Sequence, residues 1–275
     1  MTVETTDWIG KQREASETVS DRQLREFRST LSGILGDETD LPGVHWCLVP
    51  EICAPSDLGS DGHPKVGLFL PDLDLPRRMW AGGRVAYRGG VRTGETVTRV
   101  STIRDIKFKE GRSGKLGFVT LDHRYSCGQH LRIVEEQNIV YRQAPSSDAP
   151  AAVPPQAPRW DAGWTIEALP TSTLLFRYSA MTFNGHRIHY DRDYAMGVEG
   201  YNGLVVHGPL QATWMQILAT RIFKRLPQDF SYRGLSPLTC DRPVTIEAKE
   251  GEAGGLDLRV RDVELNVVTM EAQAR

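Results

Sequence analysis

GPLQATWMQILATRIFKRL, residues 208–226, is the stretch on which the fold depends. Leu210, Trp214, Ile217, Leu218, Ile222 and Leu226 recur at helical spacing and mark one apolar face. Pro209 suits the first turn, where a missing N–H costs nothing, and Pro227 stops the helix. It is the strongest helical signal in the 275-residue chain. Downstream, 244–249, 256–263 and 265–270 read as strands; upstream, 173–179 reads as another. This part of the chain is therefore expected to be a long helix with antiparallel strands.

Further upstream, residues 144–159 read APSSDAPAAVPPQAPR. Five prolines exclude a helix or a central strand, so an exposed linker is expected. It separates a segment 1–143 from a segment 160–275, each an ordinary size for a small domain. The first segment opens with a capping-box pair, Ser20 and Gln23, before a helix carrying Leu24, Phe27, Leu31 and Ile34. Gly36 can end that helix. An irregular stretch rich in Pro and Gly runs from 41 to 83. Strands follow at 84–87, 95–108, 115–125 and 131–142, separated by glycine-bearing turns. Periodicity alone gives an α+β chain in two similar halves, each a helix plus an antiparallel meander.

Composition narrows the function classes. Lys+Arg 33 against Asp+Glu 35 leaves no global basic field for nucleic acid or an anionic membrane. No apolar run approaches the roughly 20 residues that span a bilayer. Cys47, Cys53, Cys127 and Cys240 form no CxxC pair and no zinc spacing, so reduced thiols and no metal are expected. Residues 1–10, MTVETTDWIG, carry no basic-plus-apolar signal pattern, and a cytoplasmic compartment is expected.

The chemistry-bearing segment is 176–213, FRYSAMTFNGHRIHYDRDYAMGVEGYNGLVVHGPLQAT. It holds His186, His189 and His207, three of the chain's seven histidines, around the start of the long helix. Single histidines are commonly structural, but three beside an Asn and an Asp at a helix N-terminus suggest a site. The segment resembles the catalytic region of the MaoC-like hydratase/dehydratase family. That family's motif is D-x-N-P-x-H, followed by a helix opening H-G-x-L-x-A. Here the second part is His207-Gly208-Pro209-Leu210-Gln211-Ala212 and the first is Asn184-Gly185-His186-Arg187-Ile188-His189. The final His matches, while Asn184 replaces the Asp, His186 the Asn and Arg187 the Pro. The pattern is similar to the branch containing bacterial mesaconyl-C4-CoA and itaconyl-CoA hydratases and fungal-type mitochondrial 3-hydroxyacyl-thioester dehydratases. His45-Trp46, Asp61-Gly62-His63-Pro64, the run 75–83 and the run 138–142 resemble its N-terminal half.

The resemblance implies a double hot-dog fold, in which each half wraps a sheet around a central helix. It also implies an acyl-CoA thioester substrate, with CoA as part of that substrate and no separate cofactor. Two fused halves mimic the usual hot-dog dimer, and a further homodimer is compatible with this. His189 takes the position of the catalytic acid or base. Asn184 is then expected to orient water, and His186 is an alternative carrier of the missing acid–base function. Gly208, at the helix start and followed by a proline without an N–H, is expected to hold the thioester carbonyl through its backbone donor; its plainer role is a strand-to-helix turn. Asp191 is expected to orient an imidazole or to cap a short helix at 191–195. Arg77 and Arg78 suit a substrate carboxylate or a CoA phosphate, or plain solvation. The basic hairpin of Lys107, Lys109, Arg112 and Lys115 has the same two readings. Dehydration of 3-hydroxyacyl thioesters, thioester hydrolysis and non-catalytic acyl-CoA binding are the alternative functions.

Overall fold

The computed structural model describes residues 5–111, 114–143 and 154–275. Most of the expected linker and Arg112 of the basic hairpin lie outside the described residues. The first half comprises β1 (Gln12–Thr18), α1 (Asp21–Thr30), β2 (Arg77–Tyr87), β3 (Thr96–Gly111), β4 (Gly114–Cys127) and β5 (His130–Arg142). The second comprises β6 (Trp164–Ala168), α2 (Ser172–Met181), α3 (Arg192–Gly197), α4 (Gly208–Phe223), β7 (Phe230–Gly234), β8 (Val244–Glu250), β9 (Leu256–Asp262) and β10 (Val267–Ala274).

These strands form a 10-stranded sheet in the order β1-β3-β4-β5-β2-β7-β10-β9-β8-β6. Each half repeats one topology: an outer first strand, a three-stranded meander, and a second strand at the seam. The seam strands β2 and β7 pair antiparallel, Gly82 opposite Arg233 and Gly83 opposite Tyr232. The pair Gly82-Gly83, expected to close the irregular stretch 41–83, is instead a close approach inside β2. A Cβ on Gly82 would lie 2.5 Å from the Tyr232 carbonyl oxygen, and one on Gly83 2.2 Å from that of Glu136. β2 therefore starts at Arg77, not at residue 84.

α4 is the centre of the packing. It contacts β2, β7, β8, β9 and β10, and every residue from Pro209 to Thr220 is buried. A helix buried on all sides exceeds the one apolar face seen in the periodicity. Leu210, Trp214, Ile217 and Leu218 are each 2% exposed or less, a burial worth about 1.5–3 kcal/mol per side chain. That gross term is comparable to a domain's whole net stability of about 5–15 kcal/mol. One hydrophobic core joins these residues to Val85, Val97 and Ile133 of the first half.

The first half departs from the expected plan of one long helix per half. α1 has the expected capping box, with Ser20 accepting from the Gln23 N–H, but it ends at Thr30 and buries only Phe27. Between α1 and β2 there is a 3-10 turn at Val44–Cys47, with all its residues buried. It lies against α4: a Cβ on Gly43 would fall 2.4 Å from Thr213 Oγ1. Further along, Phe69, Leu73 and Leu75 cover the meander through Ile103, Val119, Leu121 and Ile139.

Two more expectations change. Residues 173–179 belong to α2, not a strand; Thr171 caps it by accepting from the Leu174 N–H at 3.2 Å, and Leu175, Tyr178 and Ser179 are its buried face. The last strand begins at Val267 and continues to Ala274, because Asn266 turns the chain with φ 51°. No helix among the described residues is long and apolar enough to cross a membrane.

Candidate active site

The site is assembled where α2 ends and α4 begins. After α2, Phe183 takes a left-handed conformation, φ 49°. Asn184 Oδ1 then accepts the His186 N–H at 3.0 Å, an Asx turn that fixes both residues. A 3-10 turn at Arg187–His189 leads to α3, and the chain returns through Val205 to His207, the N-cap residue of α4.

This path brings the imidazoles together. His189 Nδ1 donates to the Val205 carbonyl at 2.7 Å, which fixes the tautomer and leaves Nε2 as the basic nitrogen. The His189 ring stacks on His207 with centroids 3.6 Å apart, and His186 meets His189 edge-on at 5.4 Å. His207 Nε2 lies 2.8 Å from Ser179 Oγ, and its Nδ1 is buried with no partner among the described residues. His63, from the first half, lies over His186 with centroids 4.0 Å apart. Its Nδ1 donates to Asp61 Oδ2 at 3.1 Å.

Burial sets the charge state. Desolvation, with the neighbouring imidazoles, lowers His189 to about 3 and His186 to about 2, and takes His207 well below its ordinary value. The stack is thus neutral at pH 7. Burial alone would raise Asp61, but the His63 hydrogen bond and the Arg78 charge outweigh it and hold the carboxylate below its usual range. The site therefore carries a fixed anion at Asp61 near the neutral rings of His186, His189 and His207.

A cavity of about 760 Å³ opens between the halves. Trp46, Met79, Trp80 and Glu135 line it from the first half; Phe176, Tyr178, His207 and Pro209 line it from the second. Asn184 and His63 also line it, while His186 and His189 sit one layer behind, against His63 and His207. Because Asn184 Oδ1 is taken by a backbone N–H, its Nδ2 is the group left for a ligand, and it is a donor. Gly208 opens α4 between the lining residues His207 and Pro209.

Three expected residues have other partners. Asp191 caps α3 by accepting the Tyr194 N–H at 3.0 Å and pairs with Arg187 at 2.7 Å; the Val205 carbonyl, not Asp191, orients His189. Arg77 is engaged by Glu199 at 3.2 Å and donates to the Val198 carbonyl at 2.9 Å. Arg78 lines the cavity but is held by Asp61 at 3.4 Å and the Pro64 carbonyl at 3.1 Å.

Sequence reasoning did not assign roles to Asp61, His63, Ser179 or Arg99. The string Asp61-Gly62-His63-Pro64 was visible, but its chemistry depends on a loop of the other half. Among the described residues, Asp61, His63 and His186 bring ligand-type atoms within 4.8 Å of one another. Arg99 lines the cavity beside Tyr125, Glu135 and Gln137 and, unlike Arg13, Arg77 and Arg78, pairs with no carboxylate among the described residues. Nearby Glu135 is pushed up to about 7 by burial, so it is only partly ionised at neutral pH.

Known proteins resemble this chain in sequence and in fold. The mesaconyl-C(4)-CoA hydratase of Chloroflexus aurantiacus is 42% identical over 235 residues, 84% of each chain. The mitochondrial hydroxyacyl-thioester dehydratase type 2 of Schizosaccharomyces pombe is 26% identical over 266 residues, 83% of this chain and 87% of its own. HtdX of Mycobacterium tuberculosis superposes with a TM-score of 0.68 at 17% identity, over 96% of this chain and 99% of its own. Another Mycobacterium tuberculosis protein, described as a double hotdog fold, gives 0.58 at 14% identity over 97% and 95%. Two sheet-wrapped halves sharing one site make this a double hot-dog hydro-lyase of the MaoC-like class. A family profile matches residues 43–240, and the chain belongs to the hydroxyacyl-thioester dehydratase type 2 family.

Proposed function

We propose that the protein adds water across the double bond of a short, branched, dicarboxylic enoyl-CoA, the class of mesaconyl-C4-CoA and itaconyl-CoA, to give a citramalyl-CoA. The observation that carries this reading is His189, locked by Val205 into the tautomer with a basic Nε2, at the mouth of α4. Its kinship with the 42%-identical hydratase supports the substrate class.

Hydration needs a polarised carbonyl, a deprotonated water and a proton for the α-carbon. The N-terminus of α4 supplies an unsatisfied N–H at Gly208, and Asn184 Nδ2 adds a second donor for the thioester oxygen or the water. His189, stacked behind the lining His207, takes through Nε2 the proton of a water held at the depth of the His63 and His207 rings as its oxygen bonds to the β-carbon. The reaction is redox-neutral, so CoA enters only as part of the substrate.

Arg99 is the cation placed to receive the free carboxylate of a dicarboxylic acyl group, the role expected of Arg77 or Arg78. A partly protonated Glu135 leaves that charge available. The second reading, dehydration of linear 3-hydroxyacyl thioesters, is favoured by the family profile and has no use for Arg99.

The wild-type protein is incubated with mesaconyl-C4-CoA, itaconyl-CoA and crotonyl-CoA. Enoyl absorbance should disappear without release of free thiol; thiol release would mean a thioesterase. Arg99→Leu should lower kcat/KM for the dicarboxylic substrates by about 10- to 100-fold, the scale of a hydrogen-bonded charge. Crotonyl-CoA should be hardly affected. An equal loss on all three substrates would remove Arg99 from substrate recognition.

A further inference from the structure

We propose that Asp61 and His63, contributed by the first half, form the second acid–base pair of the active site; this rests on the hydratase reading above. Asn184 stands where the family motif has an acid, and an amide cannot carry the proton. Hydration still needs two transfers, one from water and one to the α-carbon, and His189 accounts for one.

The geometry of the pair fits the other. His63 lines the cavity with Nδ1 bound to Asp61 Oδ2 at 3.1 Å, which leaves Nε2 as its remaining nitrogen. Asp61 Oδ1 also accepts the His63 backbone N–H at 3.0 Å, and Arg78 holds the same carboxylate at 3.4 Å. The anion cannot swing away, and it holds the His63 ring in one orientation.

The loop is fastened to the catalytic turn. The Arg187 N–H donates to the Asp61 carbonyl at 2.9 Å, and Arg187 Nη1 donates to that of Ser60 at 3.1 Å. Gly62, at φ 85°, packs so tightly that a Cβ would lie 1.9 Å from the Gly185 carbonyl oxygen. The Asp61–His63 pair is thus held against the residue following Asn184. His186 lies between the two working imidazoles, 4.0 Å from His63 and 5.4 Å from His189 by ring centroids.

The step balances without a further reactant. Water loses one proton to His189 Nε2 as its oxygen bonds to the β-carbon and the π electrons move onto the α-carbon and carbonyl. Protonated His63 gives its Nε2 proton to the α-carbon. The proton on His189 then returns to His63 through the space occupied by His186, and both rings regain their starting states. Dehydration runs these transfers in reverse.

Full-length His63→Gln and Asp61→Asn test the pair, with thermal unfolding and steady-state hydration of the best enoyl-CoA substrate measured together. His63→Gln should lower kcat by about 10²- to 10⁴-fold with KM little changed, the usual contribution of a general acid or base. Asp61→Asn should lower kcat roughly tenfold or more, again with KM unmoved, and Asp61→Glu should recover part of it. Should His63→Gln fail to fold, Asp61→Asn, which keeps the shape and the Oδ1 acceptor, decides the matter. Near-normal kcat in a folded variant overturns the proposal. So does loss of turnover on chelation with recovery on added zinc, which would make Asp61, His63 and His186 metal ligands. A wild-type protein that hydrates none of the substrates defeats the hydratase reading itself, an outcome distinct from active wild type with indifferent variants.

Discussion

Asn184 and Gly208 show how much a single position constrains the chemistry. The Asn184 carbonyl oxygen is committed to the His186 N–H, so substitution by Asp would preserve the turn and place a carboxylate oxygen where a donor now points. Gly208 has a comparable role through what it lacks. A methyl there would meet Trp80 Cβ at 3.7 Å and Met270 Cε at 3.8 Å, ordinary contacts, so the backbone tolerates Ala. Gly208→Val adds two methyl groups in that space and obstructs the N–H at the start of α4. We expect a folded Gly208→Val protein with kcat reduced roughly 10²-fold, the scale of one lost oxyanion donor. Normal turnover in that variant would mean the thioester carbonyl is held elsewhere.

Elements were legible where local chemistry decides them. The Ser20–Gln23 capping box, the Pro209 start of α4 and the glycine turns around the meander are local signals, and each marks a real boundary. α2 was misread because Leu174, Leu175, Phe176 and Tyr178 suit a strand as well as a helix over so short a span. Its identity rests on the Thr171 cap and on Leu175 and Tyr178 facing the core. Gly82-Gly83 reads as the end of an irregular Pro- and Gly-rich stretch until β7 is beside it. The site divides the same way. The His186–His189 spacing and the His207-Gly208 helix start were visible in one segment, whereas the Asp61–His63 pair joins a loop from the other half. Arg77 looked available for a ligand only because its partner Glu199 is remote in sequence.

Across the whole molecule, the buried histidines make stability depend on pH. Desolvation lowers His45, His123 and His189 to about 3, His186 to about 2, and His207 well below its ordinary value. Each folded value lies below the unfolded value of about 6.5. The unfolded chain then binds more protons, so the stabilisation is present above about pH 6.5 and is lost as pH falls toward 3. Glu135 acts oppositely: raised to about 7 by burial, it favours the fold at low pH and loses that contribution as pH rises through 7. Five groups of one sign against one of the other predict a melting temperature that falls clearly between pH 7 and pH 5. His123→Gln, which can keep a partner for Ser101 or Gln137, should flatten that fall. A melting temperature constant over this range would contradict the assignment of neutral buried rings.

The halves meet at the cavity and share one core, with the turn carrying His186 and His189 on one side and the Asp61–His63 loop on the other. The proposed activation of water rests on His189, whose ring is fixed by Val205 and stacked on His207. The most direct measurement is hydration of mesaconyl-C4-CoA by His189→Ala, followed as loss of enoyl absorbance beside wild type, with unfolding temperature recorded on the same samples. The account predicts a folded protein with kcat lower by about 10²- to 10⁴-fold. Near-normal hydration by His189→Ala would contradict it.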